Sequence, residues 1–151
     1  MKIAIGCDHR GFELKQKLLT FLNDAGYEWV DFGCHDLIPV DYPDIAERVC
    51  PDVIARRSEW GILICSTGIG MSIAANKIKG IRAALCSDIF SATRARQHND
   101  ANVLVLGGEV IGQALAWEIT KVFLTTEFEG GRHLRRLEKV SRLEATLLDN
   151  K

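Results

Sequence analysis

The feature that most restricts the folds open to this chain is a pair of short runs apolar at every position, Ile62-Leu63-Ile64 and Val103-Leu104-Val105-Leu106. A strand with one face in water alternates apolar and polar residues, so a run without alternation has to be covered on both faces. Such strands need helices above and below the sheet, the environment of parallel strands. Segments 2–6, 27–32, 61–65, 81–86 and 102–107 read as strands, and helical patterns separate them. In the first helix, Leu14, Leu18, Phe21, Leu22 and Ala25 recur at helical spacing over 12–25, and Gly26 stands where a C-terminal glycine belongs. The expected fold is α/β: a three-layer α/β/α sandwich with a five-stranded, parallel, Rossmann-like sheet. At 151 residues, 47% hydrophobic, and with no visible linker or repeat, the chain suits one domain over 1–151.

After a fifth helix over about 112–124, the chain passes Glu129-Gly130-Gly131 into a further helix, about 132–149, with no strand before it. Leu134, Leu137, Val140, Leu143, Leu147 and Leu148 form its apolar stripe. A strandless amphipathic helix packs either on a partner subunit or back on its own domain. Arg132 and Arg136, four apart, share a face and form a two-pronged clamp for phosphate or carboxylate, or else a solvated basic face.

Several function classes are excluded. A net charge of −1 lacks the basic footprint of nucleic-acid binding. The apolar start is too short for a signal peptide and no run approaches a membrane span, which points to the cytoplasm. Five scattered cysteines (Cys7, Cys34, Cys50, Cys65, Cys86), never Cys-x-x-Cys, argue against a disulfide framework or zinc site and read mostly as packing residues. No Gly-Lys-Ser or Gly-Lys-Thr phosphate loop is present. A dinucleotide fingerprint starting at Gly68 meets Ile73 at its third glycine position. A Cys-x5-Arg phosphatase meets Met71 where its arginine is needed, and a receiver domain meets Cys65 where its aspartate is needed.

Open parallel sheets bind ligands at the carboxyl ends of their strands. The residues there are Asp8 and His9, Asp41 and Tyr42, Cys65 through Ser72, and Ser87 and Asp88. Cys65-Ser66-Thr67-Gly68-Ile69-Gly70 puts a thiol beside a glycine-rich turn that opens a helix, where backbone N–H groups lack helical partners. Taken alone, Cys65 reads equally well as a buried, inert cysteine. A sulfur base beside N–H donors suits proton removal next to a carbonyl, the donors holding the enediolate oxygen; aldose–ketose isomerisation fits, and it requires no cofactor, in keeping with the missing nucleotide and metal signatures. His98 falls at the end of the fourth helix, at the opposite sheet edge, unless a bent or shortened helix carries it to the site; such histidines more often cap helices.

Gly6-Cys7-Asp8-His9, Asp41-Tyr42-Pro43, the stretches 64–70 and 72–77, Gly80-Ile81-Arg82-Ala83, the stretch 96–103 and Glu129-Gly130-Gly131-Arg132-His133 together resemble type B ribose-5-phosphate isomerase, the group that includes galactose-6-phosphate and allose-6-phosphate isomerases. The resemblance implies Cys65 as catalytic base, Thr67 in the catalytic site, and an anion hole from the backbone of Ser66, Gly68, Ile69 and Gly70. It implies His98 as the acid that opens the sugar ring, Asn99, Asp8 and His9 as substrate contacts, Asp41 near the ring, and Arg132 and Arg136 on phosphate. It further implies a homodimer with shared sites, with the tail helix on the partner, or two such dimers paired as a tetramer, and no cofactor. Two positions depart from the family: Ser66 stands where many relatives have glycine, and Glu109 where an arginine commonly helps hold phosphate, so that either Arg135 substitutes for it or the phosphosugar sits differently. These keep open a six-carbon sugar phosphate (allose 6-phosphate or galactose 6-phosphate), a free sugar, and a non-catalytic phosphosugar-binding domain.

Overall fold

The computed structural model describes residues 1–146. Strands β1 (Lys2–Cys7), β2 (Glu28–Asp31), β3 (Trp60–Cys65), β4 (Ala83–Leu85) and β5 (Val103–Gly107) form one parallel sheet in the order β2-β1-β3-β5-β4. They alternate with α1 (Phe12–Asp24), α2 (Tyr42–Ile54), α3 (Ile69–Ala75) and α4 (Ile89–Gln97), and α5 (Gln113–Thr125) and α6 (Arg132–Thr146) follow. The three-layer parallel architecture read from the apolar runs is the one observed.

Those runs lie side by side at the centre, Ile62 beside Leu104 and Ile64 beside Leu106. The two-residue period of a strand divides their side chains between two cores. Ile62, Ile64, Leu104 and Leu106 pack with Leu14 and Leu18 of α1, Ala92 of α4 and Phe123 of α5. Leu63, Cys65, Val103 and Val105 pack with Ile45 and Val49 of α2 and Met71 of α3. The Val, Leu and Ile side chains among them are buried, fully except for Leu14, each worth roughly 1.5–3 kcal/mol. Right-handed crossovers account for the faces: β1 to β2 and β4 to β5 run one way across the sheet, β2 to β3 and β3 to β4 the other.

Two strands are shorter than their apolar patterns. β4 covers three residues of the predicted 81–86, because Arg82 leaves the ladder: its N–H donates to Asn102 Oδ1 at 2.8 Å. On the outer edge of β4, Asn76 accepts from Ala83 N–H and donates to its carbonyl, both at 2.9 Å, which blocks pairing by another strand. β2 ends at Asp31, whose carboxylate takes the fully buried Lys15 ammonium at 2.7 Å; Lys15 also donates to the Cys34 carbonyl at 2.5 Å.

Helix α6 keeps much of its apolar stripe in solvent: Leu134, Val140 and Leu143 are 50%, 51% and 67% exposed. Across a cavity of about 440 Å³, Leu137, Val140 and Leu143 face Ala83 and Ala84 of the edge strand, and Glu144 accepts from Gly80 N–H at 3.1 Å. Leu147, Leu148 and the expected helix end at 149 lie outside the described residues. Among the described residues, no helix is long and apolar enough to cross a membrane.

Candidate active site

Parallel strands send their outgoing loops to one edge, and β5, inserted beside β3, puts the loop after Gly107 against the loop after Cys65. Gly108 N–H donates to the Cys65 carbonyl at 2.8 Å, and Glu109 N–H to the Ser66 carbonyl at 3.0 Å. Cys65 is 4% exposed, yet its sulfur faces this loop and accepts Gly68 N–H at 3.2 Å. Gly68 makes the turn with φ +81°, a left-handed conformation that costs other residues, and a Cβ there would overlap Leu85 Cδ1. Thr67 Oγ1 accepts Ile69 N–H at 3.2 Å, and Gly70 lets the Tyr42 ring lie close against the loop. Next to it, Asp8 Oδ1 accepts the N–H groups of Arg10 (2.9 Å) and Gly11 (3.0 Å). His9 Nδ1 accepts Val40 N–H at 3.3 Å, which ties it to the segment leading to Asp41, the exposed N-cap residue of α2.

Cys65, Ser66, Thr67, Gly68, Ile69, Gly70, Asp8, His9 and Asp41 thus share one edge of the sheet. Asp88 belongs to the periphery: β4 is the edge strand, and Asp88 caps α4 by accepting Ser91 N–H at 2.7 Å. The other cysteines are packing residues. Burial pushes the Cys50 thiol up to about 12, burial and then Asp88 push Cys86 up to about 11, and burial drives Cys7 higher still.

Glu109 also lies at this edge. Its carboxylate accepts from Ser66 Oγ and, at 3.0 Å, from Arg10 Nη1, and these bonds hold it below the usual carboxylate range. Arg10 is the cation that compensates it; Arg135, the residue expected from sequence to substitute there, sits on α6. Arg10 carries no sequence signal of its own, since its partner becomes visible only once β5 is known to lie beside β3.

The remaining expected residues gather elsewhere. Helix α4 is regular and carries His98 away from Cys65, to the edge where strands begin. Bending or shortening of this helix, the means by which one chain would have united the two, does not occur. The separation is on the order of 15 Å, the length of a five-residue strand at about 3.3 Å per residue. The turn after His98 is fixed by Arg96 Nη1 on Asp100 (2.8 Å) and the Ala101 carbonyl (2.7 Å), and by Arg82 Nη2 on Asp100 (2.9 Å). The His98 ring stacks on that of His133, centroids 4.1 Å apart and planes 10° apart. Glu129 Oε2 lies 3.5 Å from His133 Nε2 and 3.9 Å from His98 Nε2. Asn99, Arg132 and Arg136 are exposed around this pair. The His98, Glu129 and His133 ligand atoms all lie within 4.8 Å of one another, but two parallel rings aim their in-plane lone pairs side by side, and as they stand the three do not form a metal site.

The fold and this two-part site define an α/β protein in which a thiol-bearing amide loop and a histidine–arginine cluster occupy opposite edges of a parallel sheet. The chain belongs to the ribose/galactose isomerase family, whose model matches residues 3–140. It is 47% identical over 143 residues to ribose-5-phosphate isomerase B of Escherichia coli, covering 95% of this chain and 96% of that one. Among solved structures, ribose-5-phosphate isomerase B of Clostridium thermocellum superposes with a TM-score of 0.96 at 48% identity, covering 97% and 99% of the two chains. A ribose 5-phosphate isomerase of Thermotoga maritima gives 0.92 at 50%, covering 93% and 97%.

Proposed function

We propose that this protein interconverts ribose 5-phosphate and ribulose 5-phosphate, in the cytoplasm and without a cofactor, at sites completed by a second copy of the chain. Cys65 removes the proton from C2 of the open aldose and returns it to C1, while the O2 proton passes to O1. The Ser66, Gly68, Ile69 and Gly70 amides, with Thr67, hold the enediolate oxygen. His98 of the second copy donates a proton to the ring oxygen as the C1–O4 bond breaks and C1=O1 forms, the O1–H proton leaving to solvent. Arg132 and Arg136 of that copy bind the phosphate, whose binding energy positions the reacting carbons. Asp8, His9 and Asn99 contact the sugar, and Asp41 lies by the ring. The observation that carries this reading is the Gly68 N–H bond to the Cys65 sulfur, which keeps the sulfur facing the amide loop.

Two observations support a shared site: the separation of Cys65 and His98, and the exposed stripe of α6, a face suited to a homodimer and compatible with pairing of dimers into a tetramer. Cys65→Ala and His98→Asn are each expected to lose about 10²–10⁴-fold on ribose 5-phosphate. Mixed in equal amounts under subunit exchange, the two inactive variants regain about a quarter of wild-type activity, because half the dimers are mixed and each has one intact site. A mixture that stays inactive despite exchange refutes the shared site. A Cys65→Ala enzyme retaining more than about a tenth of the rate refutes the base.

Glu109 favours a second reading. A carboxylate held at the rim by Ser66 and Arg10 repels a second anionic group and accepts hydroxyl donors, which suits a six-carbon sugar phosphate or a free sugar. Relative kcat/KM across five- and six-carbon sugars, with and without phosphate, decides between the two.

A further inference from the structure

The His98 cluster contains two groups, Glu129 and His133, that the reaction outlined above does not use. Two imidazoles stacked 4.1 Å apart do not both carry charge cheaply. His133 is 5% exposed, its Nε2 is buried without a hydrogen-bond partner, and its main chain is held by its N–H bond to the Gly130 carbonyl at 3.1 Å. Burial, then the neighbouring charges of His98 and Arg132, hold His133 below the usual histidine range. Glu129 is anchored to the end of α4 by its N–H bond to the Gln97 carbonyl at 3.1 Å, which brings its carboxylate to both rings.

We infer that Glu129 and His133 are positioning residues for His98: the flat face of the His133 ring fixes the plane of the His98 imidazole, and the Glu129 carboxylate, beside both rings, holds the pair in place. The charged groups around His98 show why a carboxylate is needed. Arg94 Nη1 of its own helix stands 3.4 Å from Nε2, and Arg132 and Arg136 project from α6. Asp100, the other nearby acid, is occupied by Arg82 and Arg96. Without Glu129, the His98 ring faces these guanidinium groups with no free carboxylate beside it. The inference rests on His98 as the ring-opening acid, and its test separates the two claims.

Ribulose 5-phosphate cannot close into a furanose, because its O5 carries the phosphate. Exchange of its C1 hydrogen in heavy water therefore reports the Cys65 step alone, whereas conversion of ribose 5-phosphate also needs ring opening. In Glu129→Gln, conversion of ribose 5-phosphate is expected to fall about tenfold, because the acid is displaced from the ring oxygen. C1 exchange stays within about twofold of wild type, and Glu129→Asp recovers most of the loss.

A Glu129→Gln enzyme that matches wild type on ribose 5-phosphate overturns the inference, as does equal loss in C1 exchange. If His98→Asn converts ribose 5-phosphate at the normal rate, the acid assignment itself fails and this inference falls with it. A defective His98→Asn beside an unaffected Glu129→Gln refutes the positioning role alone.

Discussion

Replacing Gly68 by alanine tests whether the turn that faces the Cys65 sulfur is held by backbone conformation, by packing, or by both. At φ +81°, an L-residue costs about 1–2 kcal/mol in the left-handed region. A Cβ there would also overlap Leu85 Cδ1 and stand 3.2 Å from the Leu106 carbonyl carbon. The leucine end can rotate away but the β5 main chain cannot, so overpacking adds about 1–3 kcal/mol, for a total of about 2–5 kcal/mol. Gly26 provides the control: its φ is +77°, and a Cβ there meets nothing within 4 Å, so Gly26→Ala carries the conformational cost alone, about 1–2 kcal/mol. The assay is urea unfolding of both variants, with the slope checked for constancy. In Gly68→Ala the 68 amide is also pushed from the sulfur, and sugar phosphate turnover falls about 10²–10³-fold, the loss expected for one oxyanion donor, whereas Gly26→Ala keeps full turnover. Equal destabilisation of the two variants would show that Leu85 and Leu106 do not constrain the turn, and the packing argument would be wrong.

Asp31→Asn leaves the buried Lys15 ammonium without its carboxylate and is expected to lose about 3–5 kcal/mol in urea unfolding, more than Lys15→Met, which removes the charge as well. Asp88→Ala removes the α4 cap and lowers stability by about 0.5–2 kcal/mol in the same assay. Burial raises the Asp52 pKa, but hydrogen bonds from Ser58 Oγ and Arg57 Nε, each at 2.6 Å, outweigh it and hold the carboxyl below its ordinary 3.8. That stabilisation is therefore complete above about pH 4 and disappears as pH falls through the lower native value. Ser58→Ala should show a lower midpoint at pH 7 and a smaller further loss on acidification to pH 3. Iodoacetamide at neutral pH should leave Cys7, Cys50 and Cys86 unmodified in native protein, since burial keeps all three as thiols; peptide mass mapping reads this directly.

Much of the fold was legible because its signals are local. Unbroken apolar runs at 62–64 and 103–106 demand cover on both faces whatever lies around them, and helical spacing over 12–25 specifies an amphipathic helix from its own residues. The Cys65–Gly70 junction was legible for the same reason: the turn, the thiol and the amides at the helix start are neighbours in the chain. Arg82 hid the true length of β4, since the residue that draws it from the ladder, Asn102, is twenty positions away.

Strand order carried no local signal. Placing β5 between β3 and β4 brings Glu109 to Ser66 and Arg10, and sends Asp88 to the periphery as a helix cap. The straight course of α4 parts His98 from Cys65 and stacks it on His133 instead. The sequence by itself determined the layered parallel architecture and the thiol-bearing turn, because each follows from periodicity or from adjacent residues. Only the tertiary structure decided which loops face one another, that α4 runs unbent, and that His98 stacks on His133 beside Glu129, because those depend on packing between segments remote in the chain.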